Sequence, residues 1–308
     1  MYNLSDIKTV KQLLSNYGFK FSKSLGQNFI ISPRICPKMA EQCISSERTK
    51  VEKINMIKKV GVIEIGPGIG VLTAELAKRF EKVVSVEIDK DLIPILLDTT
   101  SEFKNVKIIN NDILKIDLAD IVANELGLCD EIHICANLPY YITSEVIMHV
   151  LESNLDINSI VVMVQKEAAT RICAQPGSRD SGAISLAVRY YGTPKIVFEV
   201  GRGCFIPAPN VDSAVIKIVP DKSISRYVLN KDMYFKVIRA AYGKRRKNIL
   251  NSLSMGLALR KGELESLLAS LGISKLCRAE ELQFEDFANI ANALCRIKQG
   301  IFDENLVK

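Results

Sequence analysis

The chain has 308 residues, 48% hydrophobic and 25% charged, the balance of a globular protein with room for one large and one small domain. No apolar run approaches the roughly 18 residues that cross a bilayer, and the opening MYNLSDIKTVKQLL carries an acid and no continuous apolar core, so a cytoplasmic protein is expected rather than a spanning or secreted one. The net charge of +6 is unevenly placed: residues 1–220 hold 25 basic and 25 acidic residues, whereas 221–308 hold 16 and 10.

From residue 60 onward, short Val- and Ile-rich runs alternate with helical patterns. Strands are predicted at Val60–Ile65, Val83–Ile88, Val106–Ile109, Ile132–Ala136 and Ser159–Val164, with helices at Val71–Phe80, Asp91–Phe103 and Ser144–Glu152. Continuous apolar strands separated by helices imply a parallel sheet buried on both faces. Lys195–Val200 and Ser213–Val219 are joined by a Pro-rich loop instead, which predicts an antiparallel hairpin closing the sheet. Pro220 and the polar stretch after it mark a boundary, beyond which the pattern is helical at Met233–Tyr242, Asn248–Leu253, Glu263–Leu271 and Phe284–Ala293. An open α/β domain over 1–220 and a small all-α domain over 221–308 follow. The eight cysteines form no CxxC pair and only His133 and His149 could help them, so no metal site is expected.

The first strand runs into Glu64-Ile65-Gly66-Pro67-Gly68-Ile69-Gly70 and then a helix. Glycines serve where a chain leaves a strand sharply and a ligand must approach the backbone. The spacing is one residue shorter than the dinucleotide fingerprint, and nothing basic follows to hold a pyrophosphate. Alone, the loop is compatible with a plain tight turn. Its context adds weight. Glu87 ends the next strand, where an acid accepts from ribose hydroxyls, and Asn110-Asn111-Asp112 follows the third, where a carboxylate can accept from an adenine amino group. Three such features at consecutive strand ends point to an adenosine-type ligand.

The fourth strand ends in Asn137-Leu138-Pro139-Tyr140. Asn-x-Pro-Tyr resembles the signature of methyltransferases acting on exocyclic amino groups. An adenine amino nitrogen is a poor nucleophile because its lone pair is delocalised into the ring. The Asn137 side-chain oxygen and the Leu138 carbonyl could accept its two hydrogens and localise that pair, while Pro139 stiffens the turn and Tyr140 stacks on the base.

With Leu25-Gly26-Gln27-Asn28-Phe29-Ile30 after Ser24, Gln165-Lys166-Glu167, Phe205-Ile206-Pro207-Ala208-Pro209-Asn210-Val211-Asp212-Ser213-Ala214, Arg245-Arg246-Lys247 and Arg278-Ala279-Glu280-Glu281-Leu282, the sequence resembles the small-subunit ribosomal RNA adenine dimethyltransferase family along nearly its whole length. The resemblance implies a Rossmann-like class I methyltransferase sheet, S-adenosyl-L-methionine as cofactor, and small-subunit (16S) RNA within a precursor subunit as partner, met by a monomer. It places Asn28, Ile30, Gly66, Gly68, Glu87, Asp112 and Asn137 around the cofactor, and Phe205 opposite Tyr140 across a flipped adenine. Asn210 stands where the family often has a lysine.

Within 231–261 there are nine basic residues and one acid, and Lys244, Arg245, Arg246 and Lys247 are adjacent. Beside an RNA-modifying core such a run reads as a phosphate-binding surface opening a helix; by itself it would read as a solvated helix face. Alternatives are the related large-subunit dimethylase that confers macrolide resistance, a non-catalytic assembly or transcription factor on the same fold, and a small-molecule methyltransferase, which would need no basic appendage. The charged segment Ser45–Lys59 receives no role.

Overall fold

The computed structural model describes residues 2–22, 25–44, 58–244 and 246–298. Ser24, Arg245 and most of the charged segment 45–59 lie outside these residues. The chain divides into two compact units, one of residues 1–169 with 194–220 and one of 170–193 with 221–308.

In chain order the longer elements are α1 (Ile7–Asn16), β1 (Phe29–Ile30), α2 (Ile35–Cys43), β2 (Val60–Ile65), α3 (Val71–Ala77), β3 (Lys82–Glu87), α4 (Ile93–Thr99), β4 (Val106–Asn110), β5 (Glu131–Asn137), α5 (Thr143–Glu152), β6 (Ser159–Gln165), α6 (Lys166–Cys173), α7 (Ala183–Tyr191), β7 (Gly192–Val200), β8 (Phe205–Ile206), β9 (Ser213–Pro220), α8 (Lys231–Tyr242), α9 (Ile249–Leu257), α10 (Lys261–Ser270) and α11 (Phe284–Lys298).

A seven-stranded sheet in the order β4-β3-β2-β5-β6-β9-β7 dominates the first unit. The first five of these are mutually parallel, and β9 lies antiparallel to β6. Every residue of β2 is buried, as its unbroken apolar run requires of a central strand covered on both faces. β2 pairs with β3 on one side and β5 on the other, so the connections diverge there and leave a crevice at the carboxyl ends. Register sets what borders that crevice. Ile65 sits beside Val86 and Ala136, so Gly66, Glu87 and Asn137 end their strands at one edge.

The segment before the sheet is bound to it by apolar packing. Asp6 caps α1 by accepting from the Thr9 N–H at 2.9 Å. The helix then buries Val10, Leu13 and Leu14 in a cluster with Phe29, Ile69, Leu92 and Ile95. Phe29 and Ile30 pair with Ile206 and Phe205 in a small antiparallel sheet.

The second unit is helical. Asn230 caps α8 by accepting from the Met233 N–H at 2.8 Å, and Asn248 caps α9 through the Asn251 N–H at 2.9 Å. α8 buries Tyr234, Phe235, Val237 and Ile238. Tyr234 stacks on Tyr190 with ring centroids 5.5 Å apart, and its hydroxyl donates to the Leu186 carbonyl at 3.4 Å. With this aromatic packing residues 170–193 group with the helical unit, whereas the sequence pattern places its one boundary at residue 220. Among the described residues no helix is long and apolar enough to cross a membrane.

Candidate active site

The crevice at the carboxyl ends of β2, β3 and β5 deepens into a cavity lined by the glycine loop, Glu87, Asp112, Asn137 and the Asn28 segment. Gly66, Gly68 and Gly70 all have positive φ, at 67°, 60° and 89°. Two of them are needed for space as well. A Cβ on Gly68 would stand 3.0 Å from the Phe29 ring, and one on Gly70 would stand 2.9 Å from the Thr99 hydroxyl. The loop can turn this tightly into α3 only with glycine at these positions.

Glu87 is 4% exposed, and its carboxylate accepts from the Gly68 N–H at 3.1 Å and the Asp89 N–H at 2.9 Å. Burial pushes its pKa up, and those backbone donors pull it back. A carboxylate has about four acceptor positions, so two remain for a ligand's hydroxyls. Asn110 ties the neighbouring strand ends together by donating to the Glu87 carbonyl at 2.8 Å. Asp112 is held in a turn, one oxygen accepting from the Leu114 N–H at 3.0 Å and the other lying 3.5 Å from the Lys115 ammonium. Ile88 and Ile113 supply apolar walls, and no Lys, Arg or His is among the described lining residues. Two carboxylates, apolar walls and no cation suit an adenosine bearing a positive sulfur. They do not suit a pyrophosphate.

Asn137 occupies the opposite side. Its amide NH2 donates to the Asn28 carbonyl at 3.0 Å, while Asn28 donates its own amide to the Gly26 carbonyl at 3.0 Å. A carbonyl can only accept, so the Asn28 contact fixes which way the Asn137 amide faces and leaves Oδ1, which has no donor among the described residues, able to accept. Next along the chain, the Leu138 N–H donates to the Met163 carbonyl at 3.1 Å. The Pro139 carbonyl is used by the Ile142 N–H and the Thr143 hydroxyl, each at 3.3 Å. Among the described residues no donor reaches the Leu138 carbonyl. The Tyr140 ring is half-buried and its hydroxyl is hydrogen-bonded to that of Ser213 at 2.8 Å, which anchors the tip of the side chain. Burial raises the Tyr140 pKa, so the phenol stays protonated.

Beneath the loop lies Glu64, which is fully buried. It accepts from the Thr73 hydroxyl at 2.7 Å and the Ser85 hydroxyl at 2.6 Å, and burial pushes its pKa up to about 7. Its other oxygen has no partner among the described residues.

The structure brings Asn28, Ile30, Gly66, Gly68, Glu87, Asp112, Asn137, Leu138, Pro139 and Tyr140 to this one cavity. Phe205 is different. It was expected to face Tyr140 across a base, but it is 4% exposed, packs in a core cluster with Ile30, Met39 and Met163, and does not line the cavity. It shares that buried cluster with Ile30, its partner in the small sheet. In the helical unit, Lys244, Arg246 and Lys247 are exposed in the turn between α8 and α9 rather than in the opening of a helix, which Asn248 caps after them. His133 and Ser159 hydrogen-bond at 2.9 Å within the sheet, and the eight cysteines are free thiols.

Sequence reasoning missed Ile88, Ile113, Gln27 and Glu64. Ile88 had a usable signal, an apolar residue directly after an acid where a strand ends, and it is 52% exposed. Gln27 spans the segment, accepting from the Ser22 N–H at 3.0 Å and donating to Asp89 at 2.5 Å, a link between distant residues that no local pattern carries.

The pattern of the family described as ribosomal RNA adenine dimethylase matches residues 18–296. The chain is 45% identical over 287 residues to the ribosomal RNA small subunit methyltransferase A of Anoxybacillus flavithermus, covering 92% of this chain and 94% of the relative. It is 44% identical over 296 residues to the protein of the same name from Clostridioides difficile, covering 96% and 98%. Among solved structures, a dimethyladenosine transferase from Plasmodium falciparum superposes with a TM-score of 0.64 at 24% identity, covering 86% of this chain and 97% of that one. The 23S rRNA methyltransferase ErmE gives 0.62 at 23%, covering 87% and 100%, and both establish the fold. The chain belongs to the ribosomal RNA adenine dimethylase family.

Proposed function

We infer that this protein dimethylates the exocyclic amino group of adenine in small-subunit ribosomal RNA, using S-adenosylmethionine. The observation that carries the reading is the orientation of Asn137, whose amide oxygen is freed by the Asn28 carbonyl beside an unused Leu138 carbonyl.

S-adenosylmethionine supplies an electrophilic methyl on a positively charged sulfur. Glu87 would accept from ribose hydroxyls and Asp112 from the adenine amino group, with Ile88 and Ile113 as the apolar walls beside them. The Gly66–Gly70 backbone lets the ligand lie close against the strand end. Asn137 Oδ1 and the Leu138 carbonyl each accept one hydrogen of the target amino group, which turns its lone pair out of conjugation. Tyr140, anchored through Ser213, stacks on the target base. Positioning and charge complementarity lower the barrier, and the nitrogen made acidic by alkylation then loses its proton to water, so no strong base of the chain is needed. Residues 1–220 carry this chemistry, and the cations of 221–308 hold phosphates. The protein acts as a monomer on a precursor small subunit in the cytoplasm.

Incubating purified protein with unmodified small and large subunits, followed by mass spectrometry of each RNA, tests this. Dimethyladenosine in small-subunit RNA is the expected result. Methylation confined to large-subunit RNA would replace it with the macrolide-resistance activity, and binding without any methyl transfer would make the protein an assembly factor.

A further inference from the structure

The helical unit holds a second cleft, remote in sequence from the site above. Its helices meet very closely, since a Cβ on Gly256 of α9 would stand 2.5 Å from the Ala240 Cβ of α8. Around that crossing is a cleft of about 580 Å3, within the range of ligand sites. Its walls are apolar, formed by Met233, Leu257, Leu259 and Leu294, and Met255 on its lining is 60% exposed. The end of α9 is shaped for this. Ala258 adopts φ 54°, its N–H bonds the Ser254 carbonyl, and the Ser254 hydroxyl donates to the Leu259 carbonyl at 2.8 Å. The reversal lets Leu257 and Leu259, on either side of Ala258, both line the cleft.

The polar side chains among the described lining residues are few: three cations and one hydroxyl. Lys236 and Arg239 project from one face of α8 at i, i+3 spacing, and Lys244 follows in the next turn. All three are exposed, and among the described residues none forms an ion pair and no acid lines the cleft. Ser252 also lines it. Its hydroxyl is buried in a residue 1% exposed and has no partner among the described residues. A buried hydroxyl left unpaired is costly, so this one calls for a polar group supplied from the cleft.

An anion joined to a flat, largely apolar body with a polar edge matches all three features. We propose that this cleft receives one unstacked nucleotide of the RNA substrate, its phosphate at Lys236, Arg239 and Lys244, its base against the Met233 and leucine walls, and the base edge at the Ser252 hydroxyl. The proposal rests on the RNA reading above and adds recognition of a looped or bulged nucleotide to simple phosphate attraction.

The full-length protein with 13C-methyl methionine reports on the cleft through Met233 and Met255. Titration with each of the four nucleoside monophosphates should shift both methyl signals, and inorganic phosphate should not. Lys236→Gln with Arg239→Gln should weaken that nucleotide binding and the affinity for small-subunit RNA by about tenfold or more for each of the two charge-assisted hydrogen bonds removed. Ser252→Ala should weaken nucleotide binding several-fold while the free protein unfolds at the same or a higher midpoint, because the hydroxyl removed has no partner among the described residues. Silent methyl signals, or identical shifts from phosphate alone, overturn the proposal. If they occur while wild-type protein binds small-subunit RNA and Arg246 and Lys247 variants weaken it, the cleft fails and the RNA reading stands. If wild-type protein does not bind the RNA, both fall.

Discussion

The two units handle charge in opposite ways. In the first, carboxylates sit at strand ends under heavy burial, each held by named donors: Glu87 by two backbone N–H groups, Glu64 by two hydroxyls. In the second, Lys244, Arg246 and Lys247 are exposed in a turn. Chemistry on one nitrogen atom demands acceptors fixed to a fraction of an ångström, which only a packed scaffold provides. Attraction to a phosphate chain acts over a Debye length and tolerates mobile side chains. The difference separates the positioning of atoms from the gathering of substrate, and each half can be broken alone.

The largest effect should come from Asn137→Ala. It removes an acceptor whose bond strengthens as the amino lone pair turns toward the methyl, so single-turnover methylation should fall by about 100-fold or more. Binding of RNA, measured in parallel, should remain near wild type. A variant that methylates at the normal rate would remove Asn137 from the chemistry.

Glu64 tests the buried half through pH. Its folded pKa of about 7 lies above the ordinary 4.5, so between those values the folded state holds a proton that the unfolded state has released. Stability from this group is therefore full below pH 4.5, falls as pH rises toward 7, and is flat above. The decrease is on the order of 2–4 kcal/mol. Glu64→Gln should match wild type in urea unfolding at pH 5 and exceed it at pH 8. Equal differences at both pH values would show that Glu64 is ionised throughout.

Glu87→Ala should weaken S-adenosylmethionine binding by about 1.5–3 kcal/mol for each charge-assisted hydrogen bond removed, with RNA affinity unchanged. Isothermal titration that finds wild-type affinity in a folded variant would take Glu87 out of the cofactor site.

The smallest effect concerns the exposed cations. Arg246→Gln with Lys247→Gln should reduce the slope of log affinity against log salt by about 0.7–0.9 for each phosphate no longer neutralised. Cofactor affinity and single-turnover rate at saturating RNA should not move. An unaltered slope would make this turn a solvated surface and leave the contrast between the units without its second half.

The sequence by itself determined the parallel sheet, the glycine turn and the identity of the residues at three strand ends, because each is written in neighbours: unbroken Val and Ile runs, Gly66-Pro67-Gly68-Ile69-Gly70, Asn137-Leu138-Pro139-Tyr140. Local spacing sets periodicity and turn geometry, and those survive in any tertiary context. Where distant segments meet was decided only by folding. The Asn28 carbonyl that orients Asn137 lies 109 residues away, the Ser213 hydroxyl that holds Tyr140 lies 73 away, and residues 170–193 belong with the tail because Tyr190 packs on Tyr234. Phe205 shows the same limit from the other side. Its motif marks it for the site, yet it lies buried in the core cluster with Ile30. Hydrogen-bond direction and burial depend on which surfaces come together, and that is settled by packing a whole chain rather than by any stretch of it.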